Sequence, residues 1–147
     1  MDFPLDPERL FSLASAFVLP GWLLLVLAPL NRRLCVLLAR LVAATLAGLY
    51  VSLLVAGLAG EGPPAGAGFS TLEGVRLLLS SPQALLAGWV HYLVFDLFVG
   101  TWETENADAA RVPHLALLPC LALTFVAGPT GLLLYLVIRA GWGRQIP

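Results

Sequence analysis

Four runs of mainly apolar residues, each about as long as a bilayer's hydrocarbon core is thick, leave this chain few folds to adopt. A membrane-spanning helix needs about 20 such residues. Residues 10–30, 34–58, 82–102 and 113–138 all supply them. Inside lipid every backbone N–H and C=O must find a partner within the protein, which restricts spans of this length to helices. Composition agrees: 59% of the 147 residues are hydrophobic and 12% are charged, about half the charged share of a soluble domain. The expectation is one all-α, integral-membrane domain, a four-helix bundle in a multi-pass protein.

The punctuation between the runs divides the chain further. Pro20-Gly21 falls mid-way along the first run, where a missing donor predicts a kink. Pro29 to Arg33 makes a short polar turn. Residues 59–68 form a Gly/Pro-rich loop. The following segment, 69–81, is too short and too charged to span and reads as an interfacial helix between the second and third spans, with Ser70 and Glu73 spaced as a capping box. Pro82 suits the first position of the third helix. Residues 101–111, TWETENADAAR, read as an acidic loop. The fourth run carries Pro119, Gly128, Pro129 and Gly131, interruptions that a membrane helix tolerates where neighbours satisfy the freed carbonyls.

Charge narrows the partners. The net charge is −1, and all eight basic residues are Arg, with no basic patch to hold a phosphate backbone, so nucleic acid is excluded as an expectation. The acidic start, MDFPLDPERLF, lacks the basic segment of a signal peptide, and the first helix is expected to be retained. Four spans place both ends on one side. Arg9, Arg76, Arg139 and Arg144 then balance Arg32, Arg33, Arg111 and Arg40, and only the cluster after the first span favours a cytoplasmic first turn. Cys35 and Cys120 lie in apolar runs and read as packing residues. A homodimer is compatible with so thin a bundle.

The third run holds the chemistry. His91, Asp96 and Glu103 lie in or beside it, and an ionisable group at bilayer depth costs at least ~2.5–3.5 kcal/mol. Such groups persist where they line a site or find a partner. At 100° per residue, Trp89, Tyr92, Asp96 and Glu103 share one face, and His91, Phe95, Phe98 and Trp102 another, roughly 140° from Asp96. A helix with two such faces is expected to be central. A protonated carboxyl at that depth can deliver its proton to a substrate oxygen. Asp96, His91, Glu103 and His114, at the start of the fourth run, are the acid–base candidates. Trp89, Tyr92, Phe95 and Trp102 could form a flat wall for a rigid apolar ligand, although aromatics near span ends also form interfacial belts. Arg40, inside the second run, either snorkels to the interface or pairs with Asp96 or Glu103, and is a further candidate for ligand contact. No cofactor motif is present. A metal held by His91, Glu103 and His114 has the right ligand types without a ligand-spaced repeat.

The strings WVHYLVFDLFVGTWE (89–103) and VPHLALLPCLALTFVAGPTGLLLY (112–135) resemble the neoxanthin-synthesis family named after an abscisic-acid-deficient plant mutant, and the chain is similar to its bacterial members. That resemblance implies a four-span membrane protein. It also implies a part in converting violaxanthin to neoxanthin in the plastid membranes of plants, an isomerisation that opens an epoxide and leaves an allene without a redox cofactor. For this chain the implied site is a bacterial inner membrane.

Three readings follow. The first is a membrane isomerase acting by acid–base chemistry on a carotenoid or other isoprenoid, with a cavity beside Asp96 that opens to lipid under the 69–81 segment. The second is a non-catalytic carotenoid or lipid binder, or an assembly protein. The third is a metal- or haem-bearing protein using His91 and His114.

Overall fold

A computed structural model describes residues 6–60 and 62–143; residues 1–5, Glu61 and the tail beyond 143, Arg144 included, lie outside these limits. The described residues form five helices: α1 (Pro7–Val26), α2 (Arg32–Ala59), α3 (Leu72–Leu78), α4 (Pro82–Ala109) and α5 (His114–Gly143). All but α3 are long and apolar enough to cross a membrane. The helices begin where short polar side chains can take orphan amides. Asn31 accepts from Leu34 N at 3.2 Å, Thr71 from Gly74 N at 3.0 Å and Ser81 from Ala84 N at 3.2 Å. Pro7 and Pro82 occupy first-turn positions, where a missing N–H costs nothing.

α4 is the central rod, packed against α1, α2 and α5. α1 runs parallel to it: Phe11 meets Trp89 with ring centroids 5.3 Å apart, and near the other end Trp22 and Leu25 lie over Gly100. A Cβ on Gly100 would sit 2.8 Å from the Trp22 ring, so glycine permits this crossing. α2 runs antiparallel to α4, with Tyr50 beside His91, and Arg40 and Arg32 reaching Glu105 and Asp108. The bundle therefore has a Pro7 face and an Arg32 face. Its middle falls between the Phe11–Trp89 and Trp22–Gly100 levels, near Asp96.

α1 includes Pro20 within one helix, and its neighbour Gly21 gives room to Leu97. Other expectations are corrected. Residues 101–109 are helical, not an acidic loop. Ala107, Ala109 and Glu105 favour helix, Arg40 and Arg32 neutralise Glu105 and Asp108, and the rod ends only where Arg111 turns to φ 57°. The short helix α3 is capped by Thr71, not Ser70, and Glu73 pairs with Arg76 instead of reaching back to the cap.

The largest correction concerns the fourth run. Ala127 leaves helical geometry at φ −152°, ψ 70°. In a straight helix Thr124 and Gly131 would stand about 10 Å apart. Here a Cβ on Gly131 would lie 2.1 Å from Thr124 N and 2.6 Å from the Cys120 carbonyl. Tyr135 would stand about 31 Å beyond His114 in a straight rod, yet its ring meets Trp102 at 5.6 Å and its hydroxyl donates to Asn106 Oδ1 at 2.7 Å. α5 is thus a helical hairpin. One arm descends from His114 to Val126, and the other climbs back from Pro129 towards the Arg32 face. Pro129 disfavours helix at Gly128, and Gly131 lets the arms touch. The second arm does not cross to the Pro7 face.

Candidate functional site

The hairpin elbow meets α4 at Tyr92 and Asp96. Tyr92 Oη donates to the Val126 carbonyl at 3.0 Å, satisfying one of the carbonyls that the break frees. The Asp96 carboxyl lies directly against Gly128: a Cβ there would fall 2.1 Å from Asp96 Oδ1. Asp96 Oδ2 is buried without a hydrogen-bond partner. Two turns further along the same face of α4, Glu103 is 0% exposed, and the Thr124 hydroxyl of the descending arm lies 3.0 and 3.2 Å from its two oxygens. Among the described residues the ion pairs engage Glu105, Asp108 and Glu73, and no cation pairs with Asp96 or Glu103.

Beside Tyr92 an apolar groove of about 670 Å³ runs between the start of α1, the end of α3 and the first turns of α4. Phe11, Leu79, Leu85, Trp89 and Tyr92 line it, with Glu8 at its outer end. The Trp89 ring stacks on Tyr92 with centroids 5.5 Å apart, and Trp89 Nε1 donates to Ser15 Oγ at 3.0 Å, fixing the wall. The expected cavity is present in part: α3 contributes through Leu79, and the deep end reaches Tyr92, one turn short of Asp96.

The remaining candidates are dispersed. His91 faces outward between Tyr50 and Phe95, away from Asp96, as the helical geometry predicted. Phe95 is 55% exposed on the lipid side. His114 lies at the Arg32 face, its Nε2 donating to the Val26 carbonyl at 3.0 Å. Trp102 packs edge-on against Tyr135. Arg40 is drawn to Thr101 and Glu105, not to Asp96 or Glu103, because the outer turns of α4 put a carboxylate within easier reach of water. His91, Glu103 and His114 do not converge, and among the described residues no group of three metal-ligating side chains does. Cys35 and Cys120 are buried free thiols. The sequence reading missed Thr124, Gly128, Gly131 and Tyr135 as site-forming residues; the Gly-Pro-Thr-Gly string was the available signal.

Neither the curated proteins nor the solved structures include a significant match to this chain. A family profile does match, over residues 9–135, and it is that of the ABA4-like (ABA DEFICIENT 4-like) proteins. With four long apolar helices and a family match over most of its length, the chain is a multi-pass membrane protein belonging to the ABA4-like family, which is linked to neoxanthin synthesis.

Proposed function

We propose that the chain is an isomerase acting on an epoxidised carotenoid or a related isoprenoid drawn from the surrounding lipid. The observation that carries this reading is the Asp96 carboxyl. It is held near mid-membrane in a hairpin elbow, with one oxygen unpartnered, one helical turn from an apolar groove walled by stacked aromatics. The wall suits a flat conjugated ligand, and its deepest member, Tyr92, lies between ligand and carboxyl. In the reaction Asp96 gives a proton to the epoxide oxygen as the C–O bond breaks. The Asp96 carboxylate so formed takes the proton from the adjacent carbon, and the electron pair of that C–H bond forms the new double bond. Atoms and charge balance without a redox partner. His91 and His114, remote from the elbow, have no part in this step.

The test is conversion of an epoxy-carotenoid by membranes containing the chain, with pigments separated by chromatography. General acid catalysis is worth about 10²–10⁴ in rate, so Asp96→Asn is expected to lower conversion at least a hundredfold in a protein that still folds. Full activity in that variant overturns the proposal. One observation favours the second reading, a non-catalytic binder: Asp96 itself does not line the groove. On that reading pigment co-purifies, and Asp96→Asn retains it while no conversion is seen in either protein.

A further inference from the structure

Glu103 is the group that the proposed chemistry leaves unused. It is too deeply enclosed to touch a ligand in the groove, yet a buried carboxyl without a cation is costly unless it has a task. Its polar neighbours form a column along one side of α4. Towards the elbow, on the same face of α4, lies Asp96. Across from it is Thr124. Towards the Arg32 face come Asn106 and the fully buried Tyr135, joined by a 2.7 Å hydrogen bond, and then Arg139, exposed one turn beyond Tyr135. Cys120 also faces this column from the descending arm, donating to the Ala116 carbonyl. The arms of the hairpin close around the column at Gly131, where a Cβ would meet Thr124 Oγ1 at 2.1 Å.

We propose that Glu103 is a proton-relay residue, connecting Asp96 to water at the Arg32 face through the column of Thr124, Tyr135 and Asn106 inside the α5 hairpin. Asp96 then exchanges its proton with one side of the membrane while the groove on the Pro7 side stays dry and open to lipid. The inference deepens the isomerase reading, because a general acid sealed in hydrocarbon must enter the reaction protonated and needs a route by which that state is set. The competing role for Glu103 is purely structural, an acceptor that latches Thr124 and holds the hairpin closed.

Glutamine separates the two roles. Glu103→Gln keeps an acceptor for Thr124 but cannot carry a proton. The purified protein is reconstituted in lipid vesicles and transferred to deuterated buffer, and the protonated-carboxyl band assigned to Asp96, by its loss in Asp96→Asn, is followed by infrared spectroscopy. Exchange at least tenfold slower in Glu103→Gln, with unchanged thermal unfolding, is the expected result, and Tyr135→Phe should slow it in the same direction. Equal exchange rates in wild type and Glu103→Gln overturn the relay, as does the absence of any carboxyl band lost in Asp96→Asn. Thr124→Val is the control for the latch: it should lower the unfolding temperature, which Glu103→Gln should not. The measurement needs no substrate. A failed conversion assay therefore counts against the isomerase, and a failed exchange assay against the relay.

Discussion

Gly128 and Gly131 do at residue scale what no larger side chain could. Each stands where a Cβ would enter a neighbour: the Asp96 carboxyl in one case, the Thr124 backbone in the other. Overpacking a tight contact costs about 1–3 kcal/mol. Gly128→Ala should therefore destabilise the protein by that order, and Gly131→Ala by more, because backbone gives way less readily than a side chain. Gly48→Ala and Gly57→Ala are the contrast. Nothing lies within 4 Å of either new Cβ, both positions are helical, and the change should be neutral or stabilising by about 0.5–1 kcal/mol. Thermal unfolding of the four variants in one detergent checks the ordering. The carboxyls were visible in the sequence because charge at lipid depth is rare. The glycines were visible as residues, but their role depends on what faces them, and no helical period encodes that.

At the scale of elements, α4 outruns its expected end because two arginines of α2 neutralise its acidic last turns. The Arg40–Glu105 pair is half-exposed, with side chains 40% and 46% accessible, so its contribution is modest. Arg40→Ala is expected to cost no more than about 1 kcal/mol, and the loss should shrink as salt is added; unfolding at two ionic strengths measures both. In α3 the hydrogen bond from Arg76 holds the Glu73 carboxyl below the usual carboxylate range. A lowered acid stabilises the fold above its ordinary pKa and loses that effect as pH falls through the lowered value. Both groups are fully exposed, so the consequence is local: α3 amides should exchange faster, relative to those of α4, in strongly acidic buffer than at neutral pH. The helices themselves, and the central place of α4, were legible from run length and from polar residues on two of its faces. The end of α4 was not, since its acidic composition reads as loop until the partner arginines are in place.

For the whole molecule, the hairpin changes the topology. Four complete crossings would return the chain to its starting side, with arginines evenly divided. With α5 folded back, Arg139 joins Arg32, Arg33, Arg40 and Arg111 on one face, against Arg9 and Arg76 on the other. The positive-inside rule then predicts that the Arg32 face is the cytoplasmic one. In a background of Cys35→Ala and Cys120→Ala, single cysteines replacing Ala110 and Ala140 should be labelled by an impermeant reagent from the same side, and one replacing Ser70 from the opposite side. Labelling of Ala140→Cys with Ser70→Cys would restore four crossings. The sequence alone determined that this protein lives in lipid, as helices, with ionisable groups on its third run. That follows from the cost of unpaired backbone and of charge in hydrocarbon, which depends on residue type and run length only. The reversal of α5, the enclosure of Asp96 and Glu103, and the separation of both from His91 and His114 were decided by tertiary structure. A break at Gly-Pro permits either a kink or a return, and the packing of glycine against a neighbouring helix selects between them.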